Sequence, residues 1–251
     1  MGVTLSSPTS IEAALLYEML DKTAYAVSMD ETRYNINGVF VELLDSGMLR
    51  LVATDGHRLA MVDREADGLP GLDEGVIVPR KGIQELKKVL EGNDGAAKIS
   101  INEGFFTVQS GRTTLGVRLI DGEFPDYRQV IPKENKTIVT ASRADLLATV
   151  KRVSLVTTDK SRSIRFKLEK GTLLIASSSP EFGEAAETLE VQQEGEDVHI
   201  GFSAKYVLDL LNSMSASEMV SIRLVGELGP GVFIGDSDEQ YHCVVMPMRF
   251  E

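Results

Sequence analysis

Apolar residues recur at helical spacing near the start of each half of the chain. Ile11, Leu15, Leu16, Met19 and Leu20 form one stripe, and Leu146, Leu147, Val150 and Val153 form another. Each stripe predicts an amphipathic helix, with Ser10 and Ser142 just ahead as N-cap candidates. Strand-like alternation follows each helix. Val39, Val41 and Leu43 carry it in the first half, and Ile164, Phe166 and Leu168 in the second. Asp45-Ser46-Gly47 and Glu169-Lys170-Gly171 then predict hairpin turns. Second helices are expected over about 80–91 and 203–214. Closing strands are expected at 98–101, 105–108 and 115–119, and at 220–224, 232–234 and 243–248. Two helices packed on antiparallel β-sheet in each half is an α+β plan. Helix and strand do not alternate one for one, which argues against doubly wound and barrel folds.

The pattern also repeats in detail. Gly47-Met48-Leu49-Arg50-Leu51-Val52-Ala53-Thr54 has an echo in Gly171-Thr172-Leu173-Leu174-Ile175-Ala176-Ser177-Ser178, and Ile83-Gln84-Glu85-Leu86-Lys87-Lys88-Val89-Leu90 has one in Val207-Leu208-Asp209-Leu210-Leu211-Asn212-Ser213-Met214. Both echoes lie 124 residues downstream, so the chain reads as two homologous domains, 1–132 and 133–251. The turn-prone stretch Ile131-Pro132-Lys133-Glu134-Asn135 suits the boundary.

Composition narrows the class. The chain has 251 residues, 43% of them hydrophobic and 25% charged, as in a globular protein with a sizeable core. No run reaches the roughly 20 apolar residues of a membrane span, and no signal peptide is evident. Cys243 is the single cysteine, which excludes an internal disulfide and fits a reducing, cytoplasmic setting. The net charge of −12 argues by itself against bulk attraction to phosphates. It is shared, with 13 Lys+Arg against 20 Asp+Glu in residues 1–132 and 13 against 18 in 133–251. Screening over about 8–10 Å lets local cationic faces decide instead.

Catalytic chemistry is sparse. His57, His199 and His242 lie far apart with no metal-ligand spacing, and Asp55-Gly56-His57 reads first as a tight turn after a strand. Gly226-Glu227-Leu228-Gly229-Pro230-Gly231 lacks the Lys-Ser/Thr of a phosphate loop and reads as a hairpin connection. The myristoylation-like start Met1-Gly2-Val3-Thr4-Leu5-Ser6 and the sequon Asn135-Lys136-Thr137 are short patterns of the kind chance produces. Basic residues cluster on helices, at Arg80, Lys81, Lys87 and Lys88, and at Lys151 and Arg152. They read as solvated faces or as surfaces that touch phosphates without reading bases. Val244-Val245-Met246-Pro247-Met248-Arg249 stays apolar almost to the chain end, which suits the wall of an adaptable groove.

Four motifs carry a resemblance. Ala53-Thr54-Asp55-Gly56-His57-Arg58-Leu59-Ala60, Val76-Ile77-Val78-Pro79-Arg80-Lys81-Gly82, Phe124-Pro125-Asp126-Tyr127-Arg128 and Val244-Val245-Met246-Pro247-Met248-Arg249 resemble the bacterial DNA polymerase III beta sliding clamp, in that family's order. The resemblance implies two tandem copies of the DNA-clamp domain, the family's second and third. The first is then expected to be absent, with Met1-Gly2 as a shortened start. It also implies a non-catalytic processivity factor of bacterial DNA replication, without cofactor or metal. In the family, two subunits join head to tail in a ring that slides on double-stranded DNA. That ring tethers the DNA polymerase III alpha subunit, the clamp loader and other clamp-binding-motif proteins.

Partner peptides would enter a hydrophobic groove between the two domains. By motif, one wall comprises Thr54, Gly56, His57, Arg58 and Leu59 with Pro125 and Val130, and the other Val244, Val245, Met246, Pro247, Met248 and Arg249. Ile36 and Tyr206 fall at matching positions. Gln129 stands where the family often has a second basic residue, and Phe250-Glu251 extends past its common ending. Arg80 and Lys81, with Arg33, Lys151 and Arg152, would face DNA. Leu155 and Val156 match a helix end that meets the next subunit, and read equally as core residues. Without the first domain the family's ring does not close, so a monomer is expected. Two other classes stay open: an enzyme with a site on Asp55, His57 and Arg58, and a scaffold that binds proteins but never DNA.

Overall fold

The computed structural model describes residues 5, 7–66, 70, 72, 74–157 and 163–249. The myristoylation-like start, save Leu5, and Phe250-Glu251 lie outside them. The chain divides into two compact units, Met1–Asp126 and Tyr127–Glu251, six residues ahead of the boundary expected at 132.

Unit 1 runs β1 (Thr9–Glu12), α1 (Ala13–Ala24), β2 (Gly38–Leu43), β3 (Met48–Thr54), β4 (Arg58–Glu65), β5 (Val76–Pro79), α2 (Arg80–Leu90), β6 (Ala96–Asn102), β7 (Phe105–Ser110) and β8 (Thr113–Arg118). Its strands pair antiparallel in two sets, in the orders β1-β6-β7-β8 and β4-β3-β2-β5. Unit 2 runs β9 (Thr137–Ser142), α3 (Arg143–Val153), β10 (Ser163–Glu169), β11 (Thr172–Ser179), β12 (Gly183–Glu190), β13 (Gln192–Gly195), β14 (Val198–Ser203), α4 (Ala204–Ser213), β15 (Met219–Leu224), β16 (Gly231–Gly235) and β17 (Asp238–Val245). Its orders are β9-β15-β16-β17 and β12-β11-β10-β14. The two units share one topology. β13, paired to β9, has no counterpart among the described strands of unit 1.

In each unit the two helices pack together and on sheet. Leu16, Met19 and Leu20 of α1 and Ile83, Leu86 and Leu90 of α2 are buried with Val39, Leu51, Ile99 and Phe106 of the strands. In unit 2 the ring of Phe202 meets Phe166 and Phe233 edge-on, at 5.5 and 5.7 Å between centroids. The β10–β11 hairpin turns on Lys170 and Gly171, both at positive φ (50° and 79°), as a type I′ turn requires.

Two expected details change. Ser142 caps α3, its hydroxyl accepting from the Asp145 N–H at 3.3 Å, but Ser10 caps nothing. Ser10 pairs with Lys98 inside β1, so α1 starts at Ala13, whose N–H donates to the Gly95 carbonyl at 2.9 Å. The last strand ends at Val245 rather than 248, because Pro247 brings no N–H to a ladder.

An ion-pair cluster ties α1 to β4. Arg64 and Lys22 both donate to Glu18 Oε1, at 2.8 Å each. Burial tends to raise the Glu18 pKa, but the hydrogen bonds from Lys22 and Arg64 outweigh it and hold the carboxyl below its ordinary value. A depressed folded-state pKa stabilises the fold above the unfolded-state value, and that stability is lost as pH falls through the folded value. Glu18→Gln should therefore lower the thermal midpoint at pH 7 and flatten its decline toward pH 3. An unchanged acid-side profile would remove Glu18 from the account.

Candidate peptide-docking and nucleic-acid surfaces

The hairpin between β3 and β4 is built by its own side chains. Thr54 Oγ1 donates to the Arg58 carbonyl at 2.7 Å and accepts from the Gly56 N–H at 3.0 Å. Asp55 Oδ1 accepts from the N–H groups of His57 (2.9 Å) and Arg58 (3.0 Å). Gly56 sits at φ +89°, where a side chain is strained, and a Cβ there would meet the Arg33 guanidinium at 2.8 Å. The turn thus presents the His57 side chain to solvent while Arg58 folds inward.

Arg58 is 7% exposed. Its Nε donates to Asp55 Oδ2 at 3.1 Å, its Nη2 donates to the Tyr25 carbonyl at 2.5 Å, and its guanidinium lies 5.2 Å from the Tyr25 ring centre. Asp55 therefore serves the turn and Arg58. It does not act as the orienting acid of a His57 dyad, which removes the basis of the enzyme reading. Leu59 and Ile36 are buried and Pro125 is exposed in the same unit. Val130, expected beside Pro125, lies in unit 2, in the short 3-10 helix Tyr127–Val130.

In unit 2 the chain leaves β17 at Val245 and is caught again where the Met248 N–H donates to the Gly201 carbonyl at 2.8 Å. Val244 and Val245 are buried, whereas Met246 and Met248 are 36% and 38% exposed. Arg249 is exposed, and Tyr206 on α4 is half-buried. A pinned backbone carrying two exposed thioethers is an apolar surface that can repack around different ligands.

The cations expected to face DNA separate into distinct situations. Arg80 and Lys81 open α2, where the helix dipole adds positive potential. Arg80 Nη1 approaches Met29 Sδ at 2.7 Å, and among the described residues no carboxylate pairs with Arg80, Lys81 or Lys151. Arg33 instead lies on the β3–β4 turn, its Nη1 donating to the Asp55 carbonyl at 2.9 Å. Arg152 is held by Glu187 on β12 through Nε (2.7 Å) and Nη2 (2.6 Å), and that bond raises its pKa. Farther along α2, Lys87 pairs with Asp21 and Lys88 with Glu85. Leu155 is 77% exposed in the short helix after α3, so it is no core residue, and Val156 is half-buried. Among the described residues no group of three or more His, Cys, Asp or Glu could hold a metal ion, and no helix is long and apolar enough to cross a membrane.

The chain is similar to known proteins over nearly all of its length. Residues 10–126 match the family described as DNA polymerase III beta subunit, central domain, and residues 128–249 match the C-terminal domain of the same subunit. The beta sliding clamp of Caulobacter vibrioides is 35% identical over 249 residues, covering 98% of this chain and 66% of that protein. The Pseudomonas aeruginosa clamp is 36% identical over 241 residues, covering 96% and 65%. Among solved structures, the P. aeruginosa subunit superposes with a TM-score of 0.93 at 35% identity, over all of this chain and 68% of that one. The Bartonella birtlesii clamp bound to griselimycin gives 0.94 at 35% identity, again over all of this chain and 68% of that one. The chain belongs to the DNA polymerase III beta subunit family, the bacterial beta sliding clamps. It spans about two thirds of the length of these relatives.

Proposed function

We propose that the chain acts as part of a sliding clamp, a non-catalytic tether that holds DNA polymerase III and other clamp-binding-motif proteins on duplex DNA. The observation that carries this reading is the Val244–Arg249 segment, pinned through Met248 N–H yet exposing both methionines. Leucine or aromatic side chains of an extended partner peptide would pack on Met246 and Met248 of unit 2, with Val130 and Tyr206 of the same unit also offered to it. His57 and Arg249 would hydrogen-bond its backbone. Val244 and Val245, buried at the end of β17, support that surface from beneath. Arg80, Lys81 and Lys151 would touch phosphates without reading sequence, while Arg33 and Arg152 are engaged on Asp55 and Glu187. Leu155 and Val156 would meet another subunit. Cations with no described carboxylate partner, at the start of α2 and in the last turn of α3, favour this over the scaffold that never binds DNA, despite the net charge of −12.

The test is a fluorescence-anisotropy titration with a peptide from the C-terminal tail of the polymerase alpha subunit. Met248→Ala should weaken binding by about 1 kcal/mol, roughly fivefold, and His57→Ala by a similar amount, with unfolding midpoints unchanged. Wild-type affinity in both variants would reject the docking surface.

A further inference from the structure

The loop between α1 and the 3-10 helix Tyr34–Ile36 holds Met29 out on a fastened backbone. Before it, the Ser28 N–H donates to the Ile36 carbonyl at 3.2 Å. After it, the Asp30 N–H donates to the Ser28 hydroxyl at 3.2 Å, and the Asp30 carbonyl accepts from the Arg33 N–H at 3.1 Å and from Asn37 Nδ2 at 2.5 Å. The Asp30 carboxylate takes the Thr32 N–H at 3.0 Å and the Thr32 hydroxyl at 2.6 Å. Tied on both sides, the loop leaves Met29 70% exposed, the most of any described methionine. Met246 and Met248 follow at 36% and 38%, and Met19, Met61 and Met214 are buried. Core packing therefore does not account for a thioether at this position.

The sulfur has a cationic partner instead. Arg80 Nη1 lies 2.7 Å from Met29 Sδ. Asn37 fixes that approach, since its carbonyl accepts from the Arg80 N–H at 2.9 Å while its side-chain amide is on Asp30. A thioether is a weak acceptor, so a phosphate can draw the guanidinium away from it. A sulfoxide places a strongly polar oxygen on the same sulfur, within reach of the same N–H groups.

We propose that Met29 is an oxidation site, converted by hydrogen peroxide to the sulfoxide, and that the sulfoxide oxygen then captures Arg80. The sulfur lone pair attacks one peroxide oxygen, an S–O bond forms and the O–O bond breaks. The departing hydroxide takes the proton from the new S–OH group, which leaves the sulfoxide and water. Sulfur is oxidised by two electrons and the peroxide is reduced by two. The consequence for DNA rests on the reading of Arg80 as a phosphate-facing cation: once captured, it no longer neutralises a phosphate. Methionine sulfoxide reductases return the thioether, so the change is reversible.

Limited treatment of the full chain with hydrogen peroxide, followed by peptide mass spectrometry, tests the site. Met29 should gain oxygen at least about twice as fast as Met246 or Met248, in keeping with its exposure. The oxidised chain should bind a short duplex about threefold more weakly, with the slope of log K against log salt smaller by about 0.9, and reductase treatment should restore both. Met29→Gln, whose amide oxygen stands in for that of the sulfoxide, should show the same loss without peroxide. Met29→Leu should lose the response to peroxide, and Arg80→Gln should weaken no further on oxidation. A shifted Arg80 guanidinium signal in 15N NMR registers the capture with no DNA present. An Arg80→Gln variant that keeps wild-type affinity and slope would therefore fail the DNA reading alone, with the shifted signal still supporting the capture. Oxidation of Met29 no faster than of Met246, or an Arg80 signal that oxidation leaves in place, would overturn the inference.

Discussion

Arg58→Ala should lower the unfolding free energy by about 3 kcal/mol and weaken partner-peptide binding by at least about tenfold. The guanidinium is nearly enclosed and meets a carboxylate, a backbone carbonyl and an aromatic ring at once. Truncation leaves Asp55 with no counter-charge on its second oxygen and the Tyr25 carbonyl without its charged donor. Asp55 also holds the N–H groups of His57 and Arg58, so a displaced carboxylate loosens the turn that presents His57. Arg58→Lys keeps the charge but lacks the planar fork that reaches Asp55 and Tyr25 together, and should fall between the two. Urea unfolding at constant m-value measures the stability loss. A wild-type midpoint for Arg58→Ala would show that the turn holds without the guanidinium. Loss of peptide binding by His57→Ala, with stability kept, would separate presentation from folding.

The helices and most strands were legible because burial imposes a period. Leu16, Met19 and Leu20 must face one way along α1, and Val39 and Val41 along β2. Start points were less legible, since Ser10 and Ser142 look alike as caps. What separates them is whether a distant strand claims the residue, as β6 claims Ser10. β12 and β13 were hard to see for the opposite reason. Glu-Ala-Ala-Glu-Thr-Leu-Glu and Gln-Gln-Glu-Gly bury little, so neither shows a clean alternation. At the candidate site, the Thr54–Leu59 and Val244–Arg249 motifs were readable as sequence, but the partners that give each residue its part were not. Arg58 reaches the carbonyl of Tyr25, 33 positions earlier, and a backbone acceptor leaves no residue signature. By sequence Arg152 and Lys151 look alike, and only the fold brings Glu187, 35 positions later, onto Arg152.

That difference between neighbouring cations predicts how DNA affinity should respond. Arg80→Gln/Lys81→Gln should weaken binding to a short duplex, and the slope of log K against log salt should shrink by about 0.9 for each phosphate no longer neutralised. The effect should be largest at low ionic strength, where few counterions compete. Both residues stand on the first turn of α2, among N–H groups that already favour a phosphate, and no described carboxylate neutralises them. Lys151→Gln should act in the same direction, by a single phosphate. Arg152→Gln should leave the slope as it is and release β12 from α3, which amide exchange along Gly183–Glu190 would register. The two measurements pull apart a free cation from an engaged one. An Arg152 variant with a reduced salt slope and undisturbed exchange would mean that phosphate outcompetes Glu187 for the guanidinium. If the Arg80/Lys81 variant keeps both affinity and slope, the α2 start does not face DNA and the cationic reading fails at its strongest point.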